Sequence, residues 1–192
     1  AALDAWRELG INRLSFGVQS AVDAELHRLG RRHTAAQGIA AVDRAAAAGF
    51  QNISCDLMLG TPGQTGESLA QSLAVYARLP IAHISAYLLS IEPGTPFDTE
   101  TMRSQVPDGD AAAALYVQMA ECLEQHGFRQ YEISNFARPG FESRHNLKYW
   151  QCVDYIGIGP AAHSCFNSRR YAVPPDLDGF LRASRQQEIL TD

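Results

Sequence analysis

Three short apolar runs alternate with amphipathic segments over the first half of the chain. Residues 13–18, bounded by Gly10 on one side and Gln19 and Ser20 on the other, predict a strand; residues 52–58 and 82–89 predict two more. Residues 1–9 and 23–29 have the spacing of short helices. Thr34 is a good N-cap for an alanine-rich run that ends at Ala48, with Gly49 as the stop. Residues 67–78 predict a further helix. Each predicted strand is nearly continuous in apolar character, which suits a parallel sheet covered on both faces. Strands alternating with helices predict βαβ units, in an open sheet or a barrel. A complete eight-stranded barrel takes about 250 residues. Three units therefore make part of a barrel or a small open sheet.

The pattern changes after about residue 95. Residues 92–97 and 106–109 carry Pro and Gly turn signals, and 110–126 predict a long amphipathic helix stopped by Gly127. Residues 128–136 alternate like a strand. Residues 138–159 are rich in aromatics, glycine and polar groups, and 176–187 predict a final helix. The expected division is residues 1–95, holding the βα units, and residues 96–192, a mixed α+β extension.

Composition narrows the function classes. The chain has 192 residues, 16 basic and 21 acidic, with a net charge of -5. Such a domain lacks the electrostatic footprint of a nucleic-acid binder. No run approaches the roughly 18 apolar residues of a membrane span, and residues 1–9 lack the apolar core of a signal peptide. Cysteines at 55, 122, 152 and 165 match no zinc, heme-attachment or disulfide spacing. Reduced, buried thiols and a cytoplasmic location are expected. The sequence starts without methionine and directly in a helical pattern. Both ends are expected to be cut, and a fragment with an open strand edge at residues 13–18 is expected to self-associate.

Ligands of α/β sheets and barrels sit at the carboxyl ends of the strands. That rule selects Gln19, Asp56 and Ser90. Asp56 reads equally well as a ligand contact or as a strand-end carboxylate bonded to loop amides. Arg31 and Arg32 read as a solvated pair unless one of them clamps a carboxylate in the pocket. Residues 60–66 lack the Gly-Lys-Ser/Thr ending of a phosphate loop and read as a strand-to-helix turn. His145, Tyr149 and Trp150 place an imidazole and two flat rings within six residues. On the residues alone this is first an aromatic plug closing a barrel end, with His145 hydrogen-bonded inside; an imidazole can also ligate heme iron while rings stack on the macrocycle. The two glycines ahead of His163 make a turn or let backbone approach a ligand.

Eight blocks occur in one order: residues 13–20, 29–34, 55–65, 83–87, 91–96, 131–137, 145–150 and 154–159. Together they resemble the oxygen-independent coproporphyrinogen-III-oxidase-like proteins of the radical S-adenosylmethionine (SAM) superfamily, closest to the heme-chaperone type. The resemblance runs from about residue 6 to 185. It implies an α/β fold, the C-terminal half of a partial TIM-like (β/α)6 barrel plus the extension. It implies SAM contacts at Gln19, Arg31 and Asp56, with weaker ones at Ser90 and His163. It also implies a 4Fe-4S cluster on three closely spaced cysteines, which no cysteines here match, so that the fragment alone is expected to be inactive. The block 145–150 matches the His-Asn-x-x-Tyr-Trp pattern of the heme chaperones, which turns the reading of His145, Tyr149 and Trp150 toward heme. The implied function is a radical SAM heme chaperone that passes heme to an acceptor protein, with coproporphyrinogen oxidation in porphyrin biosynthesis as the alternative. Leu59 and Thr61, in place of the commoner Tyr and Leu, and Ala161 and Ala162 in a glycine-rich turn depart from the family pattern.

Overall fold

A computed structural model of the chain describes residues 2–183, which fall into two compact units divided between Glu142 and Ser143. In the first unit the order is α1 (Ala2–Glu8), β1 (Arg13–Gln19), α2 (Asp23–Arg28), α3 (Ala35–Ala47), β2 (Asn52–Leu59), α4 (Gly66–Tyr76), β3 (His83–Leu88), α5 (Glu100–Gln105), α6 (Gly109–Gln125), β4 (Arg129–Gln130) and β5 (Asn135–Ala137). The strands form one sheet in the order β1-β2-β3-β5-β4. β1, β2 and β3 are parallel, whereas β5 runs antiparallel to both β3 and β4. The sheet therefore continues past residue 95, where only the βα alternation stops.

The helix starts follow from local chemistry. Thr34 and Thr65 each form a reciprocal capping box, with Gln37 and Ser68 respectively, so two backbone donors are satisfied at each start. Gly49, at φ +90°, stops α3 as expected. α5 arises between the two turn segments at 92–97 and 106–109, where no element is expected, and Thr99 caps it by accepting from the Met102 amide. The expected single strand at 128–136 is instead a bent pair, β4 and β5, with the Gln130 side chain bonded to the Glu132 carbonyl between them.

The two faces of the sheet differ, which corrects the expectation of strands that are apolar throughout. Ile53, Cys55, Leu57 and Leu59 of β2 are wholly buried, as is Ile84 of β3. They belong to one core with Val42 of α3, Leu69, Leu73 and Tyr76 of α4, and Leu115, Met119 and Leu123 of α6. Full burial of each such side chain contributes about 1.5–3 kcal/mol. The register pairs Ser15 with Ser54, Ser54 with His83 and Asp56 with Ser85 on the opposite face. These polar groups satisfy one another. Ser54 Oγ lies 2.8 Å from His83 Nδ1, Tyr131 Oη lies 2.7 Å from His83 Nε2, and Ser85 donates to Asn135 at 2.7 Å. Arg13 donates to Asn52 at 2.5 Å at the amino end of the same face.

The second unit contains α7 (Arg144–Trp150), the antiparallel hairpin β6 (His163–Phe166) with β7 (Arg169–Ala172), and α8 (Leu177–Arg182). The final helix expected over 176–187 is seen as α8, and residues 184–187 lie outside the described residues. Of the cysteines, only Cys55 is buried; Cys122 and Cys165 are half-buried and Cys152 is exposed, which corrects the expectation of buried thiols for the latter three.

Candidate functional site

Gln19 ends β1 in an unusual way. The pairing with β2 slips between Phe16 and Gln19, and Gln19 adopts φ +68°, in the left-handed region that non-glycine residues rarely occupy. The side chain is 6% exposed, yet its Oε1 has no hydrogen-bond partner. A buried acceptor left unpaired costs about 1–3 kcal/mol, so such an atom calls for a ligand.

Asp56 lies beside it. A Cβ placed on Gly17 would meet Gln19 Nε2 at 3.1 Å and Asp56 Oδ2 at 3.9 Å, so both side chains border the space that this glycine leaves open. Ser15 Oγ donates to Asp56 Oδ1 at 3.3 Å. Burial raises the Asp56 pKa above the usual carboxylate value, while the Ser15 hydrogen bond and the Arg31 charge pull it back. Gln19, Asp56 and Arg31 are thus gathered on the β1 and β2 side of the sheet. Arg31 itself is exposed. Together they offer a lone amide acceptor, a carboxylate and a guanidinium.

Ser90 follows β3 on the surface and donates to Glu92 at 2.9 Å, within its own loop. His163 opens β6 in the second unit and is exposed. The sequence marks Thr61 only as a departure from the family pattern; it is wholly buried with its hydroxyl unpartnered, and Gln64, which sequence reasoning does not pick as a site residue, bonds the Gly60 amide and the Met58 carbonyl through its side chain.

In the second unit, α7 has no buried residue. The Tyr149 side chain is 45% exposed and Trp150 54%. His145 Nε2 lies 2.9 Å from Tyr149 Oη, one helical turn on, with the two rings edge to face. Tyr149 meets Tyr155 edge to face at 4.7 Å, and the Tyr155 backbone is anchored by bonds to Cys165. In the sequence Tyr155 is only part of the 154–159 block; the ring contact that supports Tyr149 comes from the fold.

Residues 1–75 match the profile of the radical SAM superfamily. The chain is a relative of the radical SAM proteins. It is 41% identical over 192 residues to the mouse protein named "Radical S-adenosyl methionine domain-containing protein 1, mitochondrial", a match that covers 99% of this chain and 42% of that protein. It is 42% identical over 166 residues to "Heme chaperone HemW" of Bacillus subtilis, covering 85% of this chain and 44% of the relative. The chain thus spans less than half the length of these curated relatives. The solved coproporphyrinogen III oxidase (HemN) of Escherichia coli superposes with a TM-score of 0.77 at 23% identity, over 98% of this chain and 47% of that one. At that identity the superposition speaks for the fold, and it bears out the expected part of a radical SAM barrel. Among the described residues no helix is long and apolar enough to cross a membrane.

Proposed function

We propose that the chain is part of a cytoplasmic heme chaperone of the radical SAM type. It binds heme on the second unit and SAM on the first, and the full-length protein adds a 4Fe-4S cluster on residues outside this chain. The observation that carries the heme reading is α7, which presents Tyr149 and Trp150 to solvent beside His145. Flat exposed rings suit a flat macrocycle, and an imidazole suits its iron. Residues 96–192 are read as the extension that carries this motif. An acceptor protein then takes the heme from this exposed surface.

The first-unit residues fit SAM. The unpaired Oε1 of Gln19 accepts from a hydroxyl or amino group, Asp56 accepts from ribose hydroxyls or the amino group, and Arg31 pairs with the methionine carboxylate. Ser90 is assigned as a weaker contact. When bound with a reduced cluster, SAM supplies a source of radical chemistry.

Hemin titration tests the heme reading. Wild-type protein should shift the Soret band, and His145→Ala should weaken the shift. Ligation through Nε2 displaces the Tyr149 hydroxyl, so Tyr149→Phe should bind at least as tightly as wild type. An unchanged spectrum with wild-type protein would overturn the proposal, and protoporphyrinogen formed by the full-length, cluster-loaded protein from coproporphyrinogen would favour the oxidative alternative.

A further inference from the structure

Glu25 is a carboxylate that the SAM reading does not use. It sits on α2, is 1% exposed, and makes no ion pair among the described residues. A buried carboxylate without a cation is costly unless its oxygens are fully hydrogen-bonded. Here they are. Ser20 Oγ donates to Oε2 at 2.7 Å, Ser68 Oγ donates to Oε1 at 2.6 Å, and Gln64 Nε2 donates to Oε2 at 3.2 Å.

The three donors come from different places. Ser20 immediately follows Gln19 after β1, Gln64 belongs to the turn after β2, and Ser68 lies in the first turn of α4. Ser20 is fixed further: its hydroxyl accepts from the Val22 amide at 2.9 Å, and Ser72 of α4 accepts from the Ala21 amide at 3.1 Å. Gln64 accepts from the Gly60 amide at 2.7 Å. One carboxylate therefore joins the two loops that leave the carboxyl ends of β1 and β2. A left-handed Gln19 is held between the slipped strand and this anchored Ser20. Such a backbone conformation persists only where the surroundings over-determine it.

We propose that Glu25 is a positioning residue: acting through Ser20, it holds Gln19 in the left-handed conformation that leaves Oε1 open to the SAM molecule. This rests on the SAM reading of Gln19. Glu25 itself touches no ligand.

The test uses the full-length protein with its cluster assembled, kept anaerobic and unreduced, and SAM affinity read by titration calorimetry. Gln19→Ala tests the site itself. Ser20→Ala and Glu25→Leu should each weaken SAM binding about tenfold, the effect of one lost hydrogen-bonded contact. Their double variant should be no weaker than the worse single, because both break one chain of contacts. Glu25→Gln should bind like wild type: its oxygen accepts from Ser20 and Gln64, and its nitrogen donates to a rotated Ser68 hydroxyl. Met119→Ala, which damages the core away from Glu25 and its three donors, should lower the melting temperature without changing affinity. If Glu25→Leu does not fold, Ser20→Ala decides. Weak binding in Gln19→Ala with wild-type binding in Ser20→Ala and Glu25→Leu overturns the positioning role and leaves the site reading standing. Wild-type binding in Gln19→Ala overturns the site reading and the positioning role with it.

Discussion

Acid should unfold this protein through His83. The imidazole is 1% exposed, with Ser54 Oγ 2.8 Å from Nδ1 and Tyr131 Oη 2.7 Å from Nε2. Burial, and then the nearby Arg13 charge, push its pKa down from 6.5 to about 4. The folded value lies below the unfolded one, so the unfolded chain takes up the proton first as pH falls. The stability contributed by the neutral ring is complete above about pH 6.5 and is lost between there and about pH 4. Proton linkage places the loss, relative to pH 7, at about 1 kcal/mol by pH 5.5 and about 2 kcal/mol by pH 4.5. Urea denaturation of wild type and His83→Gln at those three pH values isolates the effect, since every other titrating group is common to both proteins. The difference in unfolding free energy between the two should narrow, or reverse, by about 2 kcal/mol on going from pH 7 to 4.5. Two stability curves that fall in parallel would show that His83 accepts a proton in the folded state and would refute the reasoning.

Three further outcomes follow from particular contacts. Asp56→Asn removes a charge that burial disfavours, so thermal melts at pH 7.5 should show equal or higher stability while SAM affinity falls about tenfold; a marked loss of stability would contradict the geometry. Gly17→Ala puts a methyl 3.1 Å from Gln19 Nε2 and should weaken SAM binding several-fold, with the unfolding free energy within about 0.5 kcal/mol of wild type by urea titration. Met119→Ala opens a cavity at a wholly buried position between α6 and the sheet and should cost about 2–5 kcal/mol in the same assay.

The regular elements of the first unit were legible because each carries its own local signal. Thr34 and Gly49 bracket α3 by cap chemistry, and the apolar half of each strand survives as Ile53, Cys55, Leu57 and Leu59. The polar half was misread. Ser54, His83 and Ser85 are small or ring-shaped and sit among apolar neighbours, so the runs look continuous until the register places these residues together on one face. α5 and the break between β4 and β5 were missed because a single Thr99 cap and a side chain to backbone bond at Gln130 decide them, and neither has a period. At the site, residue types could be read and conformations could not. Gln19 was visible as a polar group at a strand end, but its positive φ and its unpaired oxygen depend on a slipped register two residues earlier. Glu25 had the spacing of an ordinary helix-surface acid. Its burial depends on Ser20, Gln64 and Ser68, which approach from up to 43 residues away.

The two polar systems of the first unit do different work, and the difference bears on what mutation can separate. The Ser54–His83–Tyr131 group lies towards the amino ends of the strands, and every described polar atom of its imidazole is paired. Fully satisfied groups of this kind specify register, because sliding β2 by one residue against β3 would turn Ser54 and Asp56 into the apolar core and strand the imidazole. The Gln19–Asp56 group lies at the end of β1 and further along β2 and is left unsatisfied, with one buried acceptor open and one carboxylate held above its ordinary pKa. A protein that could close those bonds internally would gain stability and lose its affinity for an external partner. The incomplete half is therefore where binding should be sought, and the complete half is where stability should be.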